Sequence, residues 1–407
     1  MPGFKLTTWN VEHADKTLSD FEGTGGHSTA ASAERARDRA IARMAAIRRE
    51  IEEIDPDILF VCEGPRGEDR ATRYFAQAAP GYRVVTRNDA AGRSYGIKGG
   101  SQWLWFLVKQ NFRATCSLLP IVTWQAFTRD ASQGRHDCGK WHCSMPTLDR
   151  DKTQTDPVDP GRQGPSLLVQ HDHYRHPQVL ACDWNGTRFE VIGVHMKSKF
   201  VNQRLAWLRW QDPRDAAGNP SPAYEDILAS IAASPGFMVE SVRNRAKLSS
   251  EASDIRYYID RRFAQEGDPA IFLVGDINDG PGKELIEDWY LLHDLIGNLQ
   301  GEVFSAHKFL NHALFDIADD LRWTVHFEDA IDRRRDPHIL LDHVLFTQRL
   351  AGPGKPPLRV FPNAGRVEHD IHERVASTLP GGVTTSDHRP VSVYVTEVDQ
   401  NGAPTEP

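Results

Sequence analysis

At 407 residues the chain is long enough for one large domain or two ordinary ones, and 40% apolar with 26% charged residues reads as soluble and globular. No apolar run approaches the roughly 20 residues that cross a bilayer, so a spanning segment is excluded from the reading. The formal net charge of −8 weighs against tight non-specific nucleic-acid binding, which needs a basic surface, but leaves room for a local basic groove.

The N-terminus passes from Met1-Pro2-Gly3 straight into a strand, Phe4 to Trp9, with no secretory signal in view. That strand ends at Asn10-Val11-Glu12-His13. A Gly/Ser/Thr loop from Glu22 to Ser32 leads into a helix over Ala33 to Ile54, where Ile41, Met44, Ile47, Ile51 and Ile54 recur at three- and four-residue spacing and predict one inward face. Asp55-Pro56-Asp57 stops the helix, and Ile58 to Cys62 makes a buried strand ending at Glu63. Tyr82 to Thr86 and Trp103 to Lys109 read as further strands. Residues 128–166 lose periodicity and read as a long surface insertion. Strands return at Val179 to Asp183 and Arg188 to Val194, joined by the hairpin turn Trp184-Asn185-Gly186-Thr187. A second insertion near 200–237 precedes a long helix, Val239 to Gln265, and the strand Ile271 to Val274. Ile339 to Phe346 and Val391 to Val395 supply the last strands. Strands in both halves with helices between them predict a single α+β domain over 1–397, with 398–407 a disordered tail. The five cysteines are few and odd in number, so no disulfide framework is expected and a reducing cytoplasm is the default location; Cys62 and Cys182 read as small buried side chains.

Two segments carry the clearest chemistry: Gly275-Asp276-Ile277-Asn278-Asp279 and Thr385-Ser386-Asp387-His388-Arg389-Pro390. Each sets an acid beside a second polar group next to an apolar, strand-like run, where a carboxylate is fixed by the strand and exposed by the turn. Acids and a histidine without cysteine point to a hard-cation phosphoester site, not to zinc or a covalent nucleophile. Asp342-His343 lies within Leu340 to Phe346, and an acid in such a strand needs a partner, for which a neighbouring histidine is the natural choice.

Taken in order, Trp9-Asn10, Glu63, Val194-His195-Met196-Lys197-Ser198, Gly275 to Asp279, Leu341-Asp342-His343 and Ser386-Asp387-His388 resemble the endonuclease/exonuclease/phosphatase superfamily, the DNase-like group. The resemblance covers nearly the whole chain. It implies a four-layered α/β sandwich, two packed mixed β-sheets flanked by helices, and a phosphoester hydrolase dependent on Mg²⁺ or Mn²⁺. On it, Glu63 binds the metal with Asn10 and Asp387 beside it. Asp276 is the general base and, with Asn278, orients water and phosphate. His388, oriented by Asp342, contacts the scissile phosphate, and His195 is the second phosphate-facing histidine. Lys197, Arg175 and Arg245 are candidates for neutralising substrate phosphate. The chain departs from the family after Gly92-Arg93-Ser94-Tyr95, where Gly96-Ile97 replace the acid that orients the histidine corresponding to His195. Inositol-phosphatase signatures are absent, and His195-Met196-Lys197-Ser198-Lys199 with Gly275 to Asp279 looks most like poorly characterised bacterial members.

Other features have plainer readings. Glu12 reads as structural and Lys199 as a solvated or phosphate-neutralising lysine. His136, Cys138, His142 and Cys143 match no standard zinc spacing. His171, Asp172 and His173 read as loop residues, and Arg333-Arg334-Arg335 as a solvated run. Trp207 and Trp210 are the tryptophans set apart from a core role. The function expected is a phosphodiesterase or nuclease whose partner is a phosphoester substrate, nucleic acid among the candidates, with no obligate protein partner. The alternatives are a phosphatase or phosphodiesterase for a small or lipid-derived phosphate, and a catalytically inactive binding module of the same fold.

Overall fold

The computed structural model describes residues 2–86, 102–120, 175, 177–199, 235–280, 287, 294–328, 336–352, 355 and 357–405, together with the backbone of four short strands at 142–146, 153–155, 163–165 and 168–172. Near-continuous apolar runs form the central strands, as expected of strands covered on both faces. In the first sheet β1 (Gly3–Asn10) lies between β2 (Ile58–Gly64), parallel to it, and β19 (Val391–Glu397), antiparallel. β4 (Trp103–Lys109) and β3 (Tyr82–Val84) extend one side; β17 (Leu358–Arg359) and β18 (Gly365–Val367) pair with β19 on the other.

The second sheet runs β13 (Leu310–His312), β16 (Asp342–Thr347), β12 (Ile271–Asp276), β11 (Thr187–His195), β10 (Gln178–Trp184), β5 (Thr115–Leu118). The β10–β11 hairpin turns on Asn185 and Gly186 at φ 50° and 84°, the left-handed pair that matches strand twist. The sheets press together through aromatic rings. Phe60 of β2 sits where Gly193 of β11 leaves room, since a Cβ there would lie 2.2 Å from its ring. Phe4, Phe189 and Trp184 fill the far end.

Outside the first sheet lies α2 (Ala30–Ile54), burying Met44, Ile47, Ile51 and Ile54. Outside the second lies the helix Pro235–Glu266, burying Leu248, Ala252, Ile255, Ile259 and Phe263 at three- and four-residue spacing. The result is the expected α+β arrangement, helix, sheet, sheet, helix.

Four expectations are corrected or left aside. Ile41 is 45% exposed, so the inward face of α2 begins at Met44; the helix starts earlier than expected, at a Thr29–Ser32 capping box, and its first turns carry polar residues. Cys116 and Cys182 form a disulfide, because β5 and β10 bring them face to face with Cα atoms 4.2 Å apart, which a separation of 66 residues conceals in the sequence. The segment after 397, expected to be disordered, turns back over residues 398–405, where Thr405 N donates to Glu397 O and Val398 bridges Pro404. Most of the two insertions lies outside the described residues, as do residues 92–97, His136, Cys138, His173, Trp207, Trp210, Arg333, Arg334 and Arg335 and the side chains of His142, Cys143, His171 and Asp172. Among the described residues no helix is long and apolar enough to cross a membrane.

Candidate active site

Three strand ends of the second sheet fall into register. His195 pairs with Asp276 across parallel β11 and β12, and Asp276 with Asp342 across antiparallel β12 and β16. Every side chain of β12 is buried, so the Asp276 carboxylate is fixed by the core and 2% exposed. The first sheet meets it from the other side with Asn10, at the end of β1, and His388, in the loop leading to β19.

These groups converge on one oxygen. Oδ2 of Asp276 accepts a hydrogen bond from Asn10 Nδ2 at 3.1 Å, with His195 Nε2 3.3 Å and His388 Nε2 3.9 Å away. Oδ1 accepts from the backbone N–H of Asn278 at 3.0 Å; Asn278, at φ 56°, also donates its Nδ2 to Met196 O. On the far side of His388, Nδ1 lies 2.6 Å from Asp342 Oδ2. Asp342 therefore takes its partner from the opposite sheet. His343, next to it in the strand, points to the opposite face and bonds to His312 and to Asp279 O instead.

The charge states follow from burial and these contacts. Burial pushes the Asp276 carboxyl well up, against the opposing pull of His388. Burial disfavours charge on His388, but Asp342 outweighs it and the net shift is upward, towards an imidazolium. His195 goes the other way: burial, with the charge of Arg175, holds it neutral. Its Nδ1 has no hydrogen-bond partner among the described residues.

Glu63 stands just past the end of the β1–β2 pairing, at an irregularity in the β2–β4 ladder, with φ 58°. A non-glycine residue held there is strained, and strain of this kind concentrates at functional sites. Burial alone would raise its carboxyl; the His13 hydrogen bonds and the nearby His195 outweigh that and hold it below the usual carboxylate range. His13 donates its backbone N–H to Glu63 Oε2 at 3.0 Å, and its Nδ1 lies 3.1 Å from the same oxygen. Glu63 Oε1 takes no hydrogen bond among the described residues, leaving an ionised oxygen free. An ionised carboxylate with a free oxygen is the kind of ligand a hard divalent cation takes.

Asp387 is exposed, and its neighbour Ser386 ties the loop down: Ser386 Oγ donates to Asn10 O at 2.6 Å and accepts from His388 N at 3.0 Å. A second grouping with the separation of a metal site is Asp276, Asp342 and His388, whose ligand atoms lie within 4.8 Å of one another. The upward-shifted His388, already bonded to Asp342, suits a hard cation less well than Glu63 does.

The structure thus brings Asn10, His195, Asp276, Asn278, Asp342 and His388 into direct contact or one residue removed, with Glu63 close enough to shift with His195. Arg175 is close enough to influence both His195 and Asp276, and donates to Met196 O at 3.3 Å. Lys197 Nζ donates to Ser198 O at 2.7 Å, and its backbone N–H donates to Glu251. Arg245 is buried and bonded to Glu287, which also takes Lys199; Lys199 reaches Asp279 as well. Arg245 and Lys199 are thus committed to buried carboxylates.

Sequence reading assigned no role to His13, Arg43, Trp9 Nε1 or Thr324. Arg43 binds Val11 O, Glu12 O and Thr385 O, joining the Asn10 and His388 loops, and Glu12 is its ion-pair partner. Trp9 Nε1 donates to His388 O, and Thr324 Oγ1 accepts from Asp342 N. None of these carries a local sequence signal, because each acts on a segment at least 18 residues away.

No protein-family model matches the chain, and no curated protein does. Among solved structures it is similar to TDP2 from D. rerio complexed with a single-strand DNA product, at 10% identity over 97% of this chain and 99% of that one, with a TM-score of 0.46. It is also similar to an endonuclease/exonuclease/phosphatase from Bacteroides vulgatus (10% identity, 98% and 100% covered, TM-score 0.44) and to the human Nocturnin catalytic domain with a bound sulfate anion (13%, 98% and 94%, 0.40).

Proposed function

We propose that the chain is a member of the endonuclease/exonuclease/phosphatase superfamily that hydrolyses phosphodiesters with the aid of Mg²⁺ or Mn²⁺. The observation that carries the reading is the convergence of Asn10, His195 and His388 on one buried oxygen of Asp276. A lone structural aspartate in a strand needs one partner; here three polar groups from two sheets are aimed at it.

On this reading Asp276, its carboxyl raised by burial, takes the proton from an attacking water as the oxygen of that water bonds to phosphorus and the ester oxygen opposite leaves with the electron pair of its P–O bond. Asn10 and the Asn278 backbone N–H hold the carboxylate in place while it does so. His388, charged and anchored by Asp342, faces the phosphoryl oxygens and stabilises their developing negative charge. Arg175 adds a second positive charge on the same side. His195, held neutral by burial, serves as a hydrogen-bonding group to the phosphate or leaving oxygen, not as a strong acid. Glu63, with Asn10 and Asp387, would hold the divalent cation, whose chemistry there is charge neutralisation of the phosphate.

Hydrolysis of bis-(p-nitrophenyl) phosphate in Mg²⁺ or Mn²⁺ tests the reading. Wild-type turnover should require the metal, and Asp276→Ala and His388→Ala should each lower kcat by about 10²- to 10⁴-fold. No metal-dependent turnover on this substrate or on a panel of oligonucleotides, mononucleotides and phospholipids would remove the hydrolase reading and leave the binding module.

A further inference from the structure

A cavity of about 490 Å³ opens between α1 (Ala14–Phe21), the first half of α2 and the loop at 382–384. Lys16, Arg35, Arg39 and Arg43 line it, with the acids Glu12 and Asp20. Both acids are already neutralised. Asp20 is 2.6 Å from Lys16 and 2.8 Å from His27, and Glu12 is 3.3 Å from Arg43. Arg35 and Arg39 are exposed and make no ion pair or hydrogen bond among the described residues. A solvated arginine face would be the ordinary explanation. Further along the same helix, however, Arg48 and Arg49 are each paired four residues on, with Glu52 and Glu53 at 2.7 and 2.9 Å. Among the described residues Arg35, Arg37 and Arg39 are left without such partners on this helix, and Arg35 and Arg39 are the two of them that line the cavity.

The inner end of this groove belongs to the catalytic loops. Arg43 Nη2 donates to Val11 O and to Thr385 O, each at 3.0 Å, next to Asn10 on one side and to Ser386-Asp387-His388 on the other. Arg39 and Arg35 follow at four and eight residues towards the N-terminus of α2. At about 1.5 Å rise per residue they stand about 6 and about 12 Å from Arg43 on one helix face. Phosphates of a stacked strand rise about 3.4 Å per nucleotide, so a strand passing Arg43 would bring a phosphate to Arg39 about two nucleotides further on and to Arg35 about four.

We propose that this groove binds the phosphates of a single-stranded oligonucleotide flanking the scissile bond, so that the substrate class is an extended phosphodiester strand. The proposal rests on the catalytic reading above for the position of the scissile bond. It also reconciles a net charge of −8 with a polyanionic substrate, by confining the positive charge to one groove.

The test is fluorescence anisotropy of a labelled single-stranded DNA of roughly 12 nucleotides, within the usual span of single-strand sites, in EDTA and at low salt. Arg35→Glu with Arg39→Glu should weaken binding at least tenfold and lower the slope of log K against log salt by about 1.4, two contacts at about 0.7 each. Arg48→Glu with Arg49→Glu changes the net charge equally on the same helix and should leave the Kd within about twofold. Equal binding by the Arg35/Arg39 variant and wild type, or equal losses in both double variants, overturns the proposal. Wild-type turnover of bis-(p-nitrophenyl) phosphate is measured alongside. Failure of that assay with selective loss of binding in the Arg35/Arg39 variant would retain the groove and remove the hydrolase.

Discussion

Asp342, at the start of β16 in the second sheet, and His388, in the loop leading into β19 of the first, meet through a 2.6 Å contact between Oδ2 and Nδ1, with both side chains buried. Burial disfavours the imidazolium and nearby carboxylates restore it, Asp342 first, with Asp276 and Asp387 behind it. Asp342→Asn keeps the shape and removes the negative charge. The His388 pKa should then fall, weakening its positive charge at neutral pH, and kcat should drop by about 10²-fold, within the span found when one charge-stabilising group is lost. Histidine ring NMR across pH reads this directly. An unchanged titration of His388 in Asp342→Asn would contradict the account.

Glu63 holds its carboxylate at φ 58° with one oxygen bound to His13 and the other free of hydrogen bonds among the described residues. Glu63→Gln preserves the volume and the acceptor for His13 but not the charge. The Mg²⁺ concentration for half-maximal rate should rise by about tenfold or more, as expected when a hard cation loses its carboxylate ligand. Thermal stability without metal should shift by only a few degrees. A melting temperature that collapses while the metal dependence stays put would make Glu63 a structural residue.

His312 and His343 form a directed chain in the second sheet. Leu314 N–H donates to His312 Nδ1, so His312 carries its proton on Nε2 and gives it to His343 Nδ1, 2.8 Å away; His343 Nε2 in turn donates to Asp279 O at 2.7 Å. Both rings must be neutral for this chain to hold, and burial lowers both pKa values. Because the folded values lie below the unfolded one near 6.5, the stabilisation is complete above that pH and is lost as the pH falls through the folded values. Denaturant midpoints should fall on acidification from about pH 7 to pH 5, and His312→Gln should flatten the slope in that window at a cost of about 1–3 kcal/mol at neutral pH. An acid slope identical in wild type and variant would place the proton uptake elsewhere.

The strand ends were legible in the sequence because each joins an apolar run to a polar group, and Asn10, Glu63, His195 and Asp276 all lie at the ends of described strands. The pairing of Asp342 with His388 came only from the family resemblance, and the other pairings were not legible. Asp342 and His343 are adjacent in sequence, yet strand alternation sends one to His388 and the other to His312. Arg245 looked free to meet a phosphate and is spent on Glu287 in the interior. Such pairings depend on the register between strands and the packing of helix on sheet, which a linear pattern of apolar residues does not encode.

The Cys116–Cys182 disulfide shows the same limit and gives its own test. Among the described strands β5 lies at the edge of its sheet and pairs with β10, so the cross-link closes a loop of 66 residues there. Constraining a loop of that length in the unfolded chain stabilises the fold by roughly 2–4 kcal/mol. Cys116→Ser with Cys182→Ser, or treatment with a reductant, should therefore lower the denaturant midpoint by the corresponding amount. Turnover at low temperature should be kept, because no residue proposed for the chemistry lies on β5 or β10. Two free thiols titrating at these positions in protein purified without reductant, with no stability difference on adding it, would show that the bond does not form in solution.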